Sequence, residues 1–395
     1  MRCKLREVVT KSNTGLDAIR RAPIVNEDTG IKCLRITDIS QNKEYSEWGN
    51  CRVSNSDFEK FRLTACDIIV ARTGATIGVN KIIEEKLDSV YNNGLIRLKI
   101  DNKKADPYYV YYALNTNDYW GRIDAVSSGT VAQPNMKMND LLDYEFELPD
   151  IIVQKKVVNI LKSIDLKIKA NKRINDNLLE QLLSIYKKIF DNNVVRKVCK
   201  AEEFFDITIG KTPPRKEMEC FTTNPEDIRW ISIADMGKNG LFINSTNERL
   251  TMDAIKKYNV VIIPENTVIL SFKLTIGRIA ITDVKCATNE AIAHFKATNN
   301  DINPYLYCYL KTFKFVELGS TSSIATAINS KIVKSMPFVI PNDNELRKFN
   351  LIAMPILKQI QNNEHEINRL SNVRNELLPK LISGEIDVSN IKLDL

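Results

Sequence analysis

The strongest constraint on this chain is a stretch of about 38 residues, from about Val153 to Phe190, with no glycine and no proline. Its apolar residues recur at alternating spacings of three and four, so it has one good solution, a long helix that buries a narrow stripe. The inward positions are Val157, Leu161, Ile164, Ile168, Asn171, Asn175, Leu178, Leu182, Ile185 and Ile189. A second copy lies 192 residues later, with Phe349, Ala353, Ile356, Ile360, Asn363, Ile367, Leu370, Arg374, Leu377 and Leu381 at the same heptad positions. Asn171 and Asn363 share one position, which points to a duplicated unit.

The segments before each helix repeat as well. NTG near Gly15 is echoed by ITIG near Gly210, CLRITDI (33–39) by WISIADM (230–236), and DIIVARTGATIGVNKI (67–82) by TVILSFKLTIGRIAI (267–281) with one residue of slippage. NNGLIRLKI and PYYVYYAL match TNEAIAHFKA and PYLYCYLK, SSGTVAQPNM matches STSSIATAIN, and YEFELP matches MPFVIP. CLRITDI, DIIVARTG, GLIRLKI and YEFELP read as strands, and PYYVYYALNT as a helix opened by Pro107. Asp150 is placed to cap the long helix. The predicted fold is α+β: a mixed domain over 1–149, a helical spacer over 150–191, a second similar domain over 192–341, and a distal helix with tail over 342–395. The two helices pair as an antiparallel coiled coil about a pseudo-two-fold axis.

A helix of this length spans on the order of 55 Å at about 1.5 Å per residue, and so acts as a ruler between the domains. The symmetric register sets Val157 against Leu381, Asn171 against Ile367 and Asn175 against Asn363. An Asn175 to Asn363 hydrogen bond then fixes orientation at some cost in stability. Leu161, Ile164, Ile168, Leu178 and Leu182 pack with Ile356, Ile360, Ile367, Leu370 and Leu377 along the same seam.

A hydrophobic content of 44% over 395 residues supplies real cores for two or three domains and excludes a disordered tail. The net charge of +7 favours an anionic partner, which composition alone leaves as nucleic acid, acidic protein or membrane surface. Cys3, Cys33, Cys51, Cys66, Cys199, Cys220, Cys286 and Cys308 form no close pair and have no histidine beside them, so they read as free thiols of a reducing compartment. MRCKLREVV is too short and polar for a signal peptide, and no apolar run approaches the roughly 18 residues of a membrane span, so a soluble cytoplasmic protein is expected.

Several motifs look chemical and read better as structure. Gly210-Lys211-Thr212 resembles the end of a phosphate loop, but Phe205 replaces the earlier glycine, and Pro213 and Pro214 forbid the helix start that would hold phosphate. Asp106-Pro107-Tyr108-Tyr109 lacks one proline of the amino-methyltransferase motif and reads as a helix start. Pro149-Asp150 followed by Asp165-Leu166-Lys167 has a nuclease-like spacing, yet the last three lie inside the long helix and the second copy has Leu357 and Gln359 there. His294 reads as packed in a strand, and His365 as solvated on the coil. The basic run Lys162, Lys167, Lys169, Lys172 and Arg173 is either the wet face of a coil or a phosphate-facing one.

The polar residues on the repeated loops are a different case, because duplicated loops imply two equivalent working surfaces. Arginine, lysine, asparagine and glutamine can make paired hydrogen bonds to base edges, while serine, threonine and lysine hold phosphates. The candidates are Arg72, Thr73 and Lys81 around the first turn, and Ser128, Thr130, Gln133 and Asn135 in the loop before the first long helix. Lys211, Thr212, Arg215 and Lys216 follow in the second domain's opening loop, with Lys273 and Arg278 around its turn. Each alone is also compatible with an ordinary solvated loop.

ARTGATIG, SSGTVAQPN leading into ELPDIIVQKKVVNIL, GKTPPRK, SFKLTIG and ELLPKLISGEIDV, in this order, make the chain resemble the DNA-specificity subunit of a type I restriction-modification system over essentially its whole length. The resemblance implies two target-recognition domains, each reading half of a bipartite site in double-stranded DNA. It also implies helices that set the spacing and dock two methyltransferase subunits, and a restriction subunit that translocates and cuts. The chain itself would bind no cofactor, the methyltransferases using S-adenosylmethionine. Gln154, expected after the first domain, is replaced by Leu346 in the second copy, and Pro355 and Arg374 interrupt the second heptad series, so a bend or an opened seam is expected there. Two other classes stay open: the recognition part of a fused adenine methyltransferase or restriction enzyme, for which no region is left to house a methyl-donor fold, and a coiled-coil adaptor.

Overall fold

The computed structural model describes residues 2–127, 135–190, 195–318 and 328–391. They divide into two compact units, one running to Leu166 and taking in the residues from Ser371 onward, the other Lys167–Leu370. Each long helix is therefore shared between the units.

In unit one the main sheet runs Val9–Thr14, Leu95–Ile100, Ile68–Ala71, Asn80–Ile82, all neighbours antiparallel. Ile68 and Val70 face a core containing Tyr109, Val110, Val157, Leu161, Leu378 and Leu381. Ile69 and Ala71 face the other way, into a core with Cys33, Leu34, Trp48 and Val90. Burial on both faces is why this strand reads as a continuous apolar run. A second sheet orders Ile24–Val25, Gly49–Cys51, Lys32–Leu34 and Ser89–Tyr91, and Arg2–Lys4 pairs with Glu145–Glu147.

Unit two repeats this order. Asp206–Ile209, Ile292–Lys296, Val268–Ser271 and Ile279–Thr282 form the main sheet, extended by Phe242–Ile243. Phe221–Thr222, Glu248–Leu250, Ile228–Ile231 and Cys286–Thr288 form the second, and Val198–Lys200 pairs with Pro337–Val339. Tyr109 Oη donates to Glu147 O at 2.9 Å and Tyr305 Oη to Val339 O at 2.8 Å, so the tyrosines, rather than Pro107 and Pro304, mark equivalent positions. The strands expected over 33–39 and 230–236 are in both copies a strand followed by a short helix, Ile36–Ser40 and Ile233–Lys238. The cause is the acid three residues past the cap: Asp38 accepts from Arg35 N and Asp235 from Ser232 N, closing a helical turn.

The long helices are Ile151–Phe190 and Asp343–Ser383. Asp150 Oδ1 accepts from Ile152 N and Val153 N, and Asn342 Oδ1 from Asn344 N, so both copies carry the same cap. All twenty predicted seam positions are buried or half-buried, which fixes the period. In unit one Arg374 Nη1 meets Asp165 Oδ1 at 3.0 Å and Lys156 meets Ser389 O, partners that run antiparallel. In unit two Asn363 Nδ2 donates to Asn175 Oδ1 at 2.8 Å, the pairing the symmetric register requires, and Asn171 Nδ2 to Glu366 Oε2 at 2.8 Å. The helix continues through Pro355, and its seam there stays closed, with Ala353, Leu357 and Ile360 buried. The carbonyl that proline leaves without a donor belongs to Leu351, an exposed residue. Gln154, buried, accepts from Asp106 N and donates to Pro149 O, both at 2.8 Å, whereas Leu346 packs on the unit-two core.

Candidate nucleic-acid interface

In each unit Ile68–Ala71 or Val268–Ser271, third in the sheet order above, runs into a tight turn that returns as the fourth strand, Asn80–Ile82 or Ile279–Thr282. In unit one Arg72 N donates to Gly94 O at 2.9 Å and Gly78 N to Ala71 O at 2.8 Å. In unit two Phe272 N donates to Ala291 O at 2.9 Å and Gly277 N to Ser271 O at 3.0 Å. Arg72 thus corresponds to Phe272 and Gly78 to Gly277, and the left-handed Gly74 (φ 84°) to the left-handed Leu274 (φ 60°). The one-residue slip falls between Leu274 and Gly277. The shorter turn leaves Leu274 95% exposed and Ile276 exposed, where Ile77 of the longer turn is buried.

The unit-one candidates gather only in part. Arg72 Nη2 donates to Asn135 Oδ1 at 3.0 Å, and Thr73 bridges Asn135 through the backbone, so these three form one cluster. Arg72 Nε is buried with no partner among the described residues. Lys81 lies on the next strand, its Nζ 3.5 Å from Lys43 O, outside that cluster. Ser128, Thr130 and Gln133 lie outside the described residues.

In unit two Lys211, Thr212, Arg215 and Lys216 follow the Asp206–Ile209 strand. A Cβ at Gly210 would overlap Thr288 Oγ1 and Asn289 O, and one at Gly15 would overlap Tyr91 O and Asn92 O. Backbone crossing explains both glycines, and the phosphate-loop resemblance of Gly210-Lys211-Thr212 ends there. Thr212 Oγ1 donates to Glu290 Oε2. Arg215 makes hydrogen bonds to Glu248 at 2.8 and 2.9 Å and lies 4.2 Å from the Phe221 ring centroid and 4.7 Å from that of Trp230. Burial opposes ionisation of Glu290, but the Thr212 hydrogen bond, its own backbone N–H and the charges of Lys273 and Arg215 outweigh that and lower its pKa. Thr212 therefore contacts this carboxylate, while Lys273 and Arg215, the latter paired with Glu248, act on it only as nearby charges. Glu290 is absent from the set picked out in the sequence, although the repeated NNG and NEA triplets were its signal.

Arg278 also makes a contact within its own unit. Its Nη1 donates to Ile233 O at 2.6 Å and its guanidinium lies against Gly237, where a Cβ would come within 2.6 Å of Nη1. It lines a cavity of about 500 Å³ beside Lys172, Lys238 and Lys311 and secures the Ile233–Lys238 helix. His365 is exposed on the coil, as read, and its Nε2 lies 2.8 and 3.0 Å from the Asp283 carboxylate. Asp165, with its nuclease-like spacing, accepts from Tyr112 Oη at 2.7 Å and from Arg374. Among the described residues no helix is long and apolar enough to cross a membrane, and no group of three or more His, Cys, Asp or Glu could hold a metal ion.

Two copies of one mixed domain, each offering a polar loop cluster at the same end of its main sheet and each followed by a long capped helix, define a duplicated two-site binding scaffold. The model of the family described as type I restriction modification DNA specificity domain matches residues 3–180 and again 195–375, and the chain belongs to that family. It is similar to two proteins of Methanocaldococcus jannaschii. The type I restriction enzyme MjaIX specificity subunit is 23% identical over 72% of this chain and 70% of its own length. The putative type I restriction enzyme MjaX specificity subunit is 21% identical over 98% of this chain and 93% of its own. The fold is shared with the type I restriction-modification S subunit from M. genitalium (TM-score 0.57, 17% identity, covering 97% of this chain and 96% of that one).

Proposed function

We propose that this chain is the recognition subunit of a type I restriction-modification complex, choosing the DNA site while partner subunits carry out adenine methylation and cleavage. The observation that carries the reading is the repeat of one loop arrangement at the same sheet end in both units, each rich in side chains that hold phosphates or read base edges. Each unit reads one half of a bipartite target through the major groove, and helix length sets the unread spacing, at least about one turn or ~34 Å. Two methyltransferase subunits dock on the helical regions and bring the S-adenosylmethionine, while a restriction subunit completes the assembly. The chain supplies recognition without catalysis.

Genome-wide adenine-methylation mapping with and without the gene tests this. One bipartite motif is expected to vanish on deletion; an unchanged methylome sinks the reading. Deleting about four residues from each helix is expected to change the unread spacer while leaving both half-sites intact.

A further inference from the structure

In each unit the central strand of the main sheet is entered through a polar triplet, Asn92-Asn93-Gly94 or Asn289-Glu290-Ala291. The ladders fix what flanks its middle residue. In unit two Val268↔Phe295 through Ser271↔Ile292 continues in the Phe272 N to Ala291 O bond, bringing Lys273 level with Glu290. On the other edge Asp206↔Lys296 through Ile209↔Ala293 continues in the Gly210 N to Ile292 O bond, and Thr212 Oγ1 then donates to Glu290 Oε2. Glu290 is thus an exposed carboxylate flanked by Thr212 on one strand edge and Lys273 on the other, with the exposed Lys211 and Lys216 in the same loop as Thr212.

A carboxylate in that place is a liability for phosphate binding, since it cancels charge that would otherwise release counterions. It is compensated only where DNA offers a donor, and the donors displayed in the major groove are the amino groups of cytosine and adenine. Adenine sets the acceptor N7 beside its amino group and would repel the second carboxylate oxygen; cytosine has no such acceptor. Thr212 and the backbone N–H of Glu290 itself occupy two of roughly four acceptor sites on the carboxylate and leave the others for a ligand.

We propose that Glu290 is a specificity-determining residue that accepts a hydrogen bond from the N4 amino group of a cytosine in the half-site read by unit two. The proposal rests on the DNA-recognition reading above. At the corresponding position unit one carries Asn93, an amide suited to the N6 and N7 edge of adenine, so the two half-sites differ there.

The test uses the chain assembled with its methyltransferase subunits on a duplex library with both half-sites randomised, followed by sequencing of the methylated products. The wild-type complex is expected to require cytosine at one position of one half-site. Glu290→Ala removes that requirement, so a discrimination of about 5- to 150-fold falls to near parity at that base pair alone. Glu290→Gln shifts the preference to adenine, and its unchanged melting temperature confirms intact folding. An unchanged motif with Glu290→Ala, or a uniform loss of methylation with no change in base preference, overturns the proposal. A wild-type complex that selects no bipartite motif would instead overturn the recognition reading itself.

Discussion

Arg97 and His294 occupy the same place in two copies of one sheet, opposite Ile69 and Ile269, and both are buried. Arg97 donates to Asn13 Oδ1 at 3.2 and 3.3 Å, to Lys60 O at 3.1 Å and to Arg62 O at 3.0 Å, lies 3.8 Å from Asp67, and sits over the Tyr91 ring. His294 lies between two hydroxyls, 2.9 Å from Thr208 and 2.7 Å from Thr288, and burial favours its neutral form. The difference traces to the neighbouring helix. Asn55–Phe61 ends without a left-handed cap and gives its last carbonyls to the guanidinium, a cation well placed at a helix C-terminus. Met252–Tyr258 closes on Asn259, left-handed at φ 49°, whose N–H satisfies Ile255 O, so unit two needs no buried cation there. One architecture thus tolerates a charged and a neutral solution, provided every buried polar group has a partner.

The largest effect should come from removing the charged solution. Arg97→Met leaves Asn13 Oδ1 and the Lys60 and Arg62 carbonyls without that donor inside unit one, while Lys99 at 3.0 Å keeps Asp67 paired, a loss of about 1–3 kcal/mol for each stranded acceptor. Unit-resolved hydrogen exchange should show unit one losing protection while the Lys167–Leu370 unit keeps its own; equal loss in both would break the comparison.

The neutral solution should show in pH. Burial lowers the His294 pKa from its ordinary 6.5 to about 4, so between those values the unfolded chain binds a proton that the native chain refuses, and stability falls as pH falls. The full loss is about 3 kcal/mol. In the same unit burial raises the Glu364 carboxyl from 4.5 to about 7 despite its hydrogen bonds from Leu241 N and Phe242 N. There the native chain holds the extra proton, and stability rises as pH falls. The two nearly cancel between pH 6.5 and 4.5. Glu364→Gln should therefore unmask the histidine, giving a variant whose unit two weakens by up to about 3 kcal/mol between pH 6.5 and 4. Wild-type and variant denaturation midpoints that track each other across that range would refute it.

The duplication, several of the strands, the cap of the first long helix and the coil period were legible because each leaves a local signature: repeated segments, apolar runs, Asp150 and a three-four spacing. The Asn175 to Asn363 pairing followed from symmetry alone. What escaped were properties set by neighbours distant in sequence. Arg278 reads as a DNA contact from its loop, and only the packed helix around Gly237 shows that its Nη1 also bonds Ile233 O. Glu290 is one of 49 acidic residues in the sequence, and becomes a candidate reader only when two ladders bring Thr212 and Lys273 to its sides.

A smaller contrast lies in the helix pair. Unit one sets Asp165 between Tyr112 and Arg374; the repeat-related residues of unit two are Leu357, Cys308 and Leu182, all buried in an apolar core. An ion pair brought partly out of water contributes little net stability, but losing one member strands the other. Arg374→Leu alone should cost about 1–2 kcal/mol, the discount from a fully buried pair reflecting side chains about one-third exposed. Adding Asp165→Leu and Tyr112→Cys, the residues unit two already uses, should restore that loss by urea denaturation, because no polar group then lacks a partner. If the triple variant remained as weak as Arg374→Leu, the polar trio would be holding unit one in a way the apolar trio cannot, and the two ends of the coil would not be interchangeable solutions.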